Sequence, residues 1–421
     1  MINKELLKNI IIDTKTQIKK VKLNKRNIFF ENSMPYVLVG LRRVGKSYLL
    51  YQRIYELIDQ GISWESILFI NFEDERLIGF DSSDFNLLLE AQYELNNNIE
   101  PILFLDEIQN INGWEKFARR MADSKHLIYI TGSNAKIFSK EIASILGGRF
   151  FIKEIFPYSL KEYLKANNFS FTNEKLYSTN GKSTFLSLYN DYFYYGGLPE
   201  ICSLTLKREY LNSIFQTIYL GDIALRNNIK NSEALLFLTK KLAESVRQPI
   251  SITRLTNLIK SIGLKVGKQT ILQYLEYMKQ SYLIFDIKNI NSSFESKITN
   301  PKYYFYDTGI LNLFLINQNP AILENLIAIY LINNAKNKNS VFFYKDNIEI
   351  DFYIPETKQA IQVAYSISAQ ETLEREVNAL LKFNKFKKCN KLNIITYDEE
   401  KTLNINNITI DIIPAWKFIT Q

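Results

Sequence analysis

Two glycines, a lysine and a serine give this chain its first chemical signal: Gly40-Leu41-Arg42-Arg43-Val44-Gly45-Lys46-Ser47. Gly-x-x-x-x-Gly-Lys-Ser is the spacing of a phosphate-cradling loop. A triphosphate is a compact polyanion, and main-chain N–H groups at a helix start offer it partial positive charge. Glycine lets the backbone curl around the phosphates with no Cβ in the way. Lys46 would place a point charge on the β- and γ-phosphates, and the Ser47 hydroxyl would ligate Mg²⁺. With Tyr48 these residues form the expected nucleotide-binding set. The alternative is a chance glycine turn, in a chain with only 15 glycines among 421 residues.

Such a loop needs an acidic partner for the metal. "PILFLDEIQNINGWEKFARR" supplies one where the apolar run Pro101 to Leu105 ends in Asp106-Glu107. Ligands bind at the C-terminal edge of an open parallel sheet, so a carboxylate delivered there suits a nucleotide site. Asp106 is assigned to Mg²⁺ through water, and Glu107 to polarising the attacking water. A solvated strand-end turn is the plainer reading. In "HLIYITGSNAKIF" the polar cluster Thr131 to Asn134 follows another apolar run. There Ser133 or Asn134 would sit beside the γ-phosphate, or simply cap the next helix. Arg149, after two glycines in "ILGGRFFIKEIFP", is the candidate arginine finger from a neighbouring subunit, with Arg119 and Arg120 competing for the role. A surface arginine is the ordinary alternative for each.

These groups require a particular scaffold. Tyr36 to Val39 is a short apolar strand, and Leu49, Leu50, Ile54, Leu57 and Ile58 recur at helical spacing until Gly61. "ILFINFED" adds another strand ending in acid. Strands alternating with helices predict a parallel α/β sheet up to about Pro157. Helices punctuated by loops follow, with Gly196-Gly197-Leu198-Pro199 as a sharp turn. From residue 235, three helices and a β-hairpin spell a winged-helix plan. Its third helix, from about Lys268, would be the recognition helix, exposing Lys268, Gln269, Gln273 and Glu276, with Lys260 and Lys265 nearby. A purely protein-binding role is the equal alternative. A last α/β unit begins near residue 313.

Composition narrows the classes further. The hydrophobic share of 46% and charged share of 23% suit a soluble globular protein of several domains. No apolar run approaches the ~18 to 20 residues of a membrane span. The charged N-terminus reads as an amphipathic helix rather than a signal peptide, which places the protein in the cytoplasm. Cys202, Cys389 and the single His126 suggest neither a disulfide framework nor a zinc centre. The net charge of +8 is compatible with nucleic acid, but an AT-rich coding sequence would give the same lysine excess.

In order, "GLRRVGKS", "FINFEDERL", "LFLDEIQNINGWEKFARR", "ITGSNAKIFSKEIASILGGR" and "FPYSLKEYL" resemble a family of prokaryotic AAA-type ATP-binding proteins, similar to archaeal-type ATPases with a C-terminal domain of unknown function. "YFYYGGLPEI", "YLGDIALRNNI", "KYYFYDTGILNLF" and "EIDFYI" extend that resemblance along nearly the whole chain. It implies ATP with Mg²⁺ as cofactor, adenine rather than guanine, and a helical lid that relays nucleotide state. The tail resembles the PD-(D/E)xK nuclease fold, with Glu324 on a helix and Asp351 on a strand matching its metal positions. Where that pattern needs Glu-x-Lys, this chain has Gln362-Val363-Ala364, so nuclease chemistry is expected to be lost and the scaffold kept. Lys345 or Lys358 would be the lysines to substitute.

The resulting expectation is an α/β fold with a P-loop ATPase core at 1–156, a helical lid at 157–234, a winged-helix domain at 235–312 and a nuclease-like α/β domain at 313–421. The leading function is a Mg-dependent ATPase acting as a molecular switch. A nucleic-acid-binding protein with a regulatory ATP site is the alternative, and an ATP-dependent nuclease a weaker one. Partners to expect are ATP, duplex DNA, and a protein partner or second copy of the chain, with no membrane.

Overall fold

The computed structural model describes residues 2–133, 144–291 and 300–420. They fall into two compact units: residues 1–156 with 280–282, and residues 157–279 with 283–421.

Five parallel strands make the first unit's sheet: β1 (Tyr36–Val39), β2 (Ile67–Asn71), β3 (Ile102–Asp106), β4 (Ile128–Gly132) and β5 (Phe151–Glu154). Their spatial order is β2-β3-β4-β1-β5. Every residue of β1 and β4 is buried. Parallel strands covered on both faces must be apolar throughout, which is why they read as unbroken runs rather than alternations. The helices α1 (Lys4–Ile18), α2 (Lys46–Asp59), α3 (Phe85–Leu95) and α4 (Trp114–Asp123) supply the cover. Helix α2 buries Leu49, Leu50, Ile54 and Leu57, the stripe that its spacing predicts. The amphipathic N-terminus is α1, capped by Asn3, with Leu7, Ile10, Ile11 and Ile18 buried. The order matters for chemistry: β4 alone separates the C-terminal ends of β1 and β3, so the groups that follow those strands converge.

In the second unit, helices Leu160–Ala166, Asn173–Tyr177, Thr179–Tyr195 and Lys207–Gln216 come first. The last continues as a π-helical stretch, Thr217–Leu225. Helices Ser232–Glu244, Ile252–Ser261 and Lys268–Gln280 precede an antiparallel pair, β6 (Ile284–Asn289) and β7 (Lys302–Phe305). Then come β8 (Phe342–Lys345), β9 (Glu349–Ile354), β10 (Gln359–Val363), β11 (Lys391–Thr396), β12 (Lys401–Ile405) and β13 (Ile408–Pro414). All eight strands form one sheet, ordered β12-β13-β11-β10-β9-β8-β6-β7. Strand β6 joins it through the parallel pairs Lys288↔Phe342 and Asn289↔Phe343. The hairpin expected to be a wing is thus the edge of the tail's own sheet, which continues across residue 312. Helix Gln370–Lys387 packs on that sheet with Leu380 and Phe383 fully buried against Ile350, Ala360, Ile394 and Ile410.

Two distant sequence signposts meet in this unit. The buried Asp307 carboxylate accepts hydrogen bonds from the amides of Gly197 (2.9 Å), Gly309 (2.9 Å) and Ile310 (3.1 Å). It both caps the helix Thr308–Asn312 and anchors the turn at Gly196-Gly197. Gly196 has φ +78° and ψ −167°, and a Cβ there would lie 2.2 Å from Asp307 Oδ1. Only glycine fits, which accounts for the pair of glycines before Leu198-Pro199.

Candidate functional site

The loop after β1 crosses to α2 with Gly45 at φ +87° and Arg43 at φ +65°. Gly40 (φ +148°) passes so close to β5 that a Cβ would lie 2.2 Å from the Ile155 carbonyl oxygen. Leu41 and Val44 are buried and hold the loop to the core, whereas Tyr48 is exposed. The Lys46 ammonium is buried, donating to the carbonyls of Gly40 and Leu41 at 3.1 Å each and lying 3.8 Å from Glu107 Oε1. Arg42 pairs with Glu73 at 3.2 Å. Arg26, which the sequence did not single out, donates to the Val44 carbonyl at 3.2 Å and braces the loop from behind.

Asp106 ends β3 and is buried. Its carboxylate receives the hydroxyl of Thr131, and the Ser47 hydroxyl is near enough to favour its ionised form. Burial, reinforced by the charge of Glu107, pushes its pKa up to about 6; the two hydroxyls and Lys46 oppose that rise. Glu107 follows with φ +52°, a left-handed conformation unusual for a side-chain-bearing residue and characteristic of functional positions. Its amide donates to Thr131 Oγ1 at 2.9 Å, so one hydroxyl ties the backbone of Glu107 to the carboxylate of Asp106. Gln109 Nε2 donates to Glu107 Oε2 at 2.6 Å. Burial raises the Glu107 pKa, but Lys46, Gln109, Arg42 and Ser133 outweigh it and hold the carboxyl below its ordinary value.

Lys46, Ser47, Asp106 and Glu107 therefore come together at one sheet edge. Ser133 is buried there, within 3.4 Å of Gln109 Nε2. Asn134 lies outside the described residues. Arg149 does not join them. It precedes β5, whose Phe151 amide bonds Pro35 ahead of β1, so it lies at the opposite sheet edge and pairs with Asp123. Arg119 lies 3.7 Å from the same Asp123, and Arg120 donates to Asn86 at 2.6 Å. Gln109 and Thr131 stood inside quoted motifs, but what marks them is the strand order that places β4 beside β3.

The degenerate nuclease-like residues also converge, around a group the sequence did not reveal. Glu324 is on helix Asn319–Asn334, Asp351 on β9 and Gln362 on β10. The fully buried Lys302 ammonium of β7 lies 3.2 Å from Glu324 Oε1, 3.2 Å from Asp351 Oδ1 and 3.3 Å from Glu349 Oε1. Burial works against its charge, but the three carboxylates prevail and hold it above the ordinary lysine range. Tyr304 donates to Glu324 Oε1 at 2.8 Å. Gln362 is fully engaged, accepting from the Asp351 amide and donating to Glu376 and the Glu349 carbonyl. Ala364 is buried in the tail core. Lys345 pairs with Glu349 Oε2 from an exposed position at 2.8 Å, and Lys358 sits on an exposed turn. A cavity of about 710 Å³ opens in front, lined by Arg247, Gln318, Glu324, Asp351, Gln362 and Arg375 among others.

Residues 32–164 match the family model described as an AAA domain. Residues 186–321 match a domain of unknown function, DUF8612. The uncharacterized protein MJ1544 of Methanocaldococcus jannaschii is 36% identical over 99% of this chain and 96% of its own length. An uncharacterized protein of Haemophilus influenzae is 31% identical over 90% of this chain and 93% of its own. Among solved structures, the Walker-type ATPase PABY2304 of Pyrococcus abyssi aligns over 75% of this chain and 96% of its own, at 15% identity and a TM-score of 0.38, too distant to bear on function. Among the described residues, no helix is long and apolar enough to cross a membrane.

Proposed function

This chain belongs to the same family as those two proteins and carries an AAA domain, and from that premise we propose that it is a Mg-dependent ATPase acting as a switch. The observation that supports this best is the meeting of the buried Asp106 carboxylate, held by the Thr131 hydroxyl, with the buried Lys46 ammonium 3.8 Å from Glu107, where the P-loop enters its helix. Hydroxyl and carboxylate oxygens are the hard donors Mg²⁺ prefers, so Ser47 and Asp106 fit that ion. When bound, it would neutralise charge on the phosphate oxygens.

The chain's own groups divide the remaining work. The P-loop amides and Lys46 hold the phosphates. Glu107, kept ionised by Lys46 and oriented by Gln109, accepts a proton from the attacking water. Thr131 couples the metal carboxylate to the backbone of that base, so loss of the γ-phosphate would be felt at both. The product that matters is then a conformational change passed to the second unit. Arg149, at the far sheet edge, is proposed to act on a neighbouring copy.

Calorimetry with Mg-ATP tests the premise. Lys46→Ala should abolish binding, while Glu107→Gln should bind and turn over at least ~100-fold more slowly. Parental turnover in Glu107→Gln would remove the base from the scheme, and no heat with Mg-ATP would remove the scheme. A second reading, duplex-DNA binding, is supported by three exposed lysines: Lys260 at the end of helix Ile252–Ser261, Lys265 in the loop that follows and Lys268 at the start of helix Lys268–Gln280. It calls for affinity that falls steeply between about 50 and about 200 mM salt and weakens in Lys265→Gln/Lys268→Gln. Salt-independent affinity would exclude it.

A further inference from the structure

The carboxylate cage of the second unit has a composition that asks for a divalent cation and a geometry that refuses one. Glu324, Glu349 and Asp351 each present an oxygen to a common point, at 3.2 to 3.3 Å from the atom that occupies it. Such a set of hard, anionic donors from a helix and a strand is the ligand chemistry of Mg²⁺ or Mn²⁺. The occupant is the Lys302 ammonium, which has no exposure to solvent. As the cage stands, no group of three or more Asp, Glu, His or Cys among the described residues is placed to hold a metal. Glu324 Oε2, buried and without a hydrogen-bond partner, faces Arg247 Nε at 3.4 Å beside the cavity.

We propose that Lys302 is a built-in surrogate for a divalent cation: it fills a carboxylate metal site, holds the three acidic groups together and keeps metal out. Two charge arguments favour this over an ordinary ion pair. A surface pair needs one carboxylate, whereas here three are gathered around one ammonium, more negative charge than a monovalent group can balance. The surplus is met by Arg247 beside Glu324 and Lys345 beside Glu349, with the Tyr304 hydroxyl donating to Glu324, as neighbours of a metal site would meet it. The consequence is a cavity whose cation is covalently part of the chain, so ligand binding there is independent of divalent ions.

The test is a Mn²⁺ titration of the full-length protein without nucleotide, with free Mn²⁺ followed by electron paramagnetic resonance. Lys302→Met should bind one more Mn²⁺ per chain than the parent, and adding Asp351→Asn should abolish that extra site. The proposal is overturned if the parent already binds an ion that Asp351→Asn removes, or if folded Lys302→Met binds no additional ion. Should Lys302→Met not fold, Lys302→Met/Glu349→Gln removes one charge of each sign. Millimolar Mn²⁺ should then raise that variant's unfolding midpoint by several degrees and leave the parent's unmoved; equal shifts, or none, would overturn the proposal.

Discussion

Replacing Thr131 with valine removes one buried oxygen and tests whether the nucleotide site is wired as its geometry says. That hydroxyl accepts from the Glu107 amide at 2.9 Å and donates to the Asp106 carboxylate. A hydrogen bond to a charged group is worth about 1.5 to 3 kcal/mol. At 1.36 kcal/mol per pKa unit, losing it should raise the Asp106 pKa by about 1 to 2 units. The parent value is already pushed up to about 6. A metal bound at Asp106 needs the ionised carboxylate, so protons compete with it. Metal-dependent nucleotide affinity should therefore fall as pH drops through the Asp106 pKa, near 6 in the parent. In Thr131→Val that midpoint should move upward by about 1 to 2 units, leaving the two proteins most different near neutrality and similar in alkali. A fluorescent ATP analogue, titrated with Mg²⁺ and with EDTA across that range, reads it directly. Binding without Mg²⁺ should show no such shift. Parallel curves with a common midpoint would refute the Thr131–Asp106 linkage, and a midpoint moved downward would reverse its sign.

Three other substitutions follow from the same geometry. Asp106 is held above its ordinary value in the fold, so stability is full below the unfolded pKa and declines as pH rises through about 6. Asp106→Asn should thus make the nucleotide-free protein more stable than the parent by about 2 to 3 kcal/mol near pH 8 and equal to it near pH 4, read by urea unfolding. Gly196→Ala should destabilise the second unit by about 3 kcal/mol, through a backbone region reserved for glycine and a collision with the anchored Asp307; an unchanged urea midpoint would disprove the packing argument. Gln109→Leu removes the donor that helps hold the Glu107 pKa down, so the acidic limb of the pH–rate profile should shift upward while Mg-ATP affinity is unchanged.

The first unit was largely legible in the sequence because its signals are local. A parallel strand buried on both faces must be apolar throughout, so the segments ending at Val39 and Asp106 declare themselves, whereas "ILFINFED" overruns its strand, which stops at Asn71 before the acidic residues. The stripe of α2 and the glycine spacing before it are equally local. What stayed hidden depends on which strands lie side by side. Thr131 is an ordinary polar residue after an apolar run until β4 is known to flank β3, which brings its hydroxyl to the Glu107 amide. Arg149 lies away from the phosphate edge of its own sheet for the complementary reason: it precedes its strand, and in a parallel sheet the start and the end of a strand face opposite ways, so the role assigned to it is one on a neighbouring copy.

Lys302 shows the same limit in its sharpest form. A pattern written along the chain asks for lysine two residues after position 362 and finds Ala364, from which loss of function is the natural deduction. Electrostatics makes no demand on sequence position. It requires only that a positive charge reach the point where Glu324, Glu349 and Asp351 meet, because carboxylates taken out of water without a partner are prohibitively costly. Any strand that passes that point can deliver it, and here β7 does. The hairpin that carries Lys302 is the one that the sequence reading assigns to a winged helix, and it pairs with the tail's sheet through Lys288↔Phe342. A missing residue in a motif is therefore evidence about one place on the chain, whereas the cluster of acids it leaves behind is evidence that a cation must arrive from somewhere else.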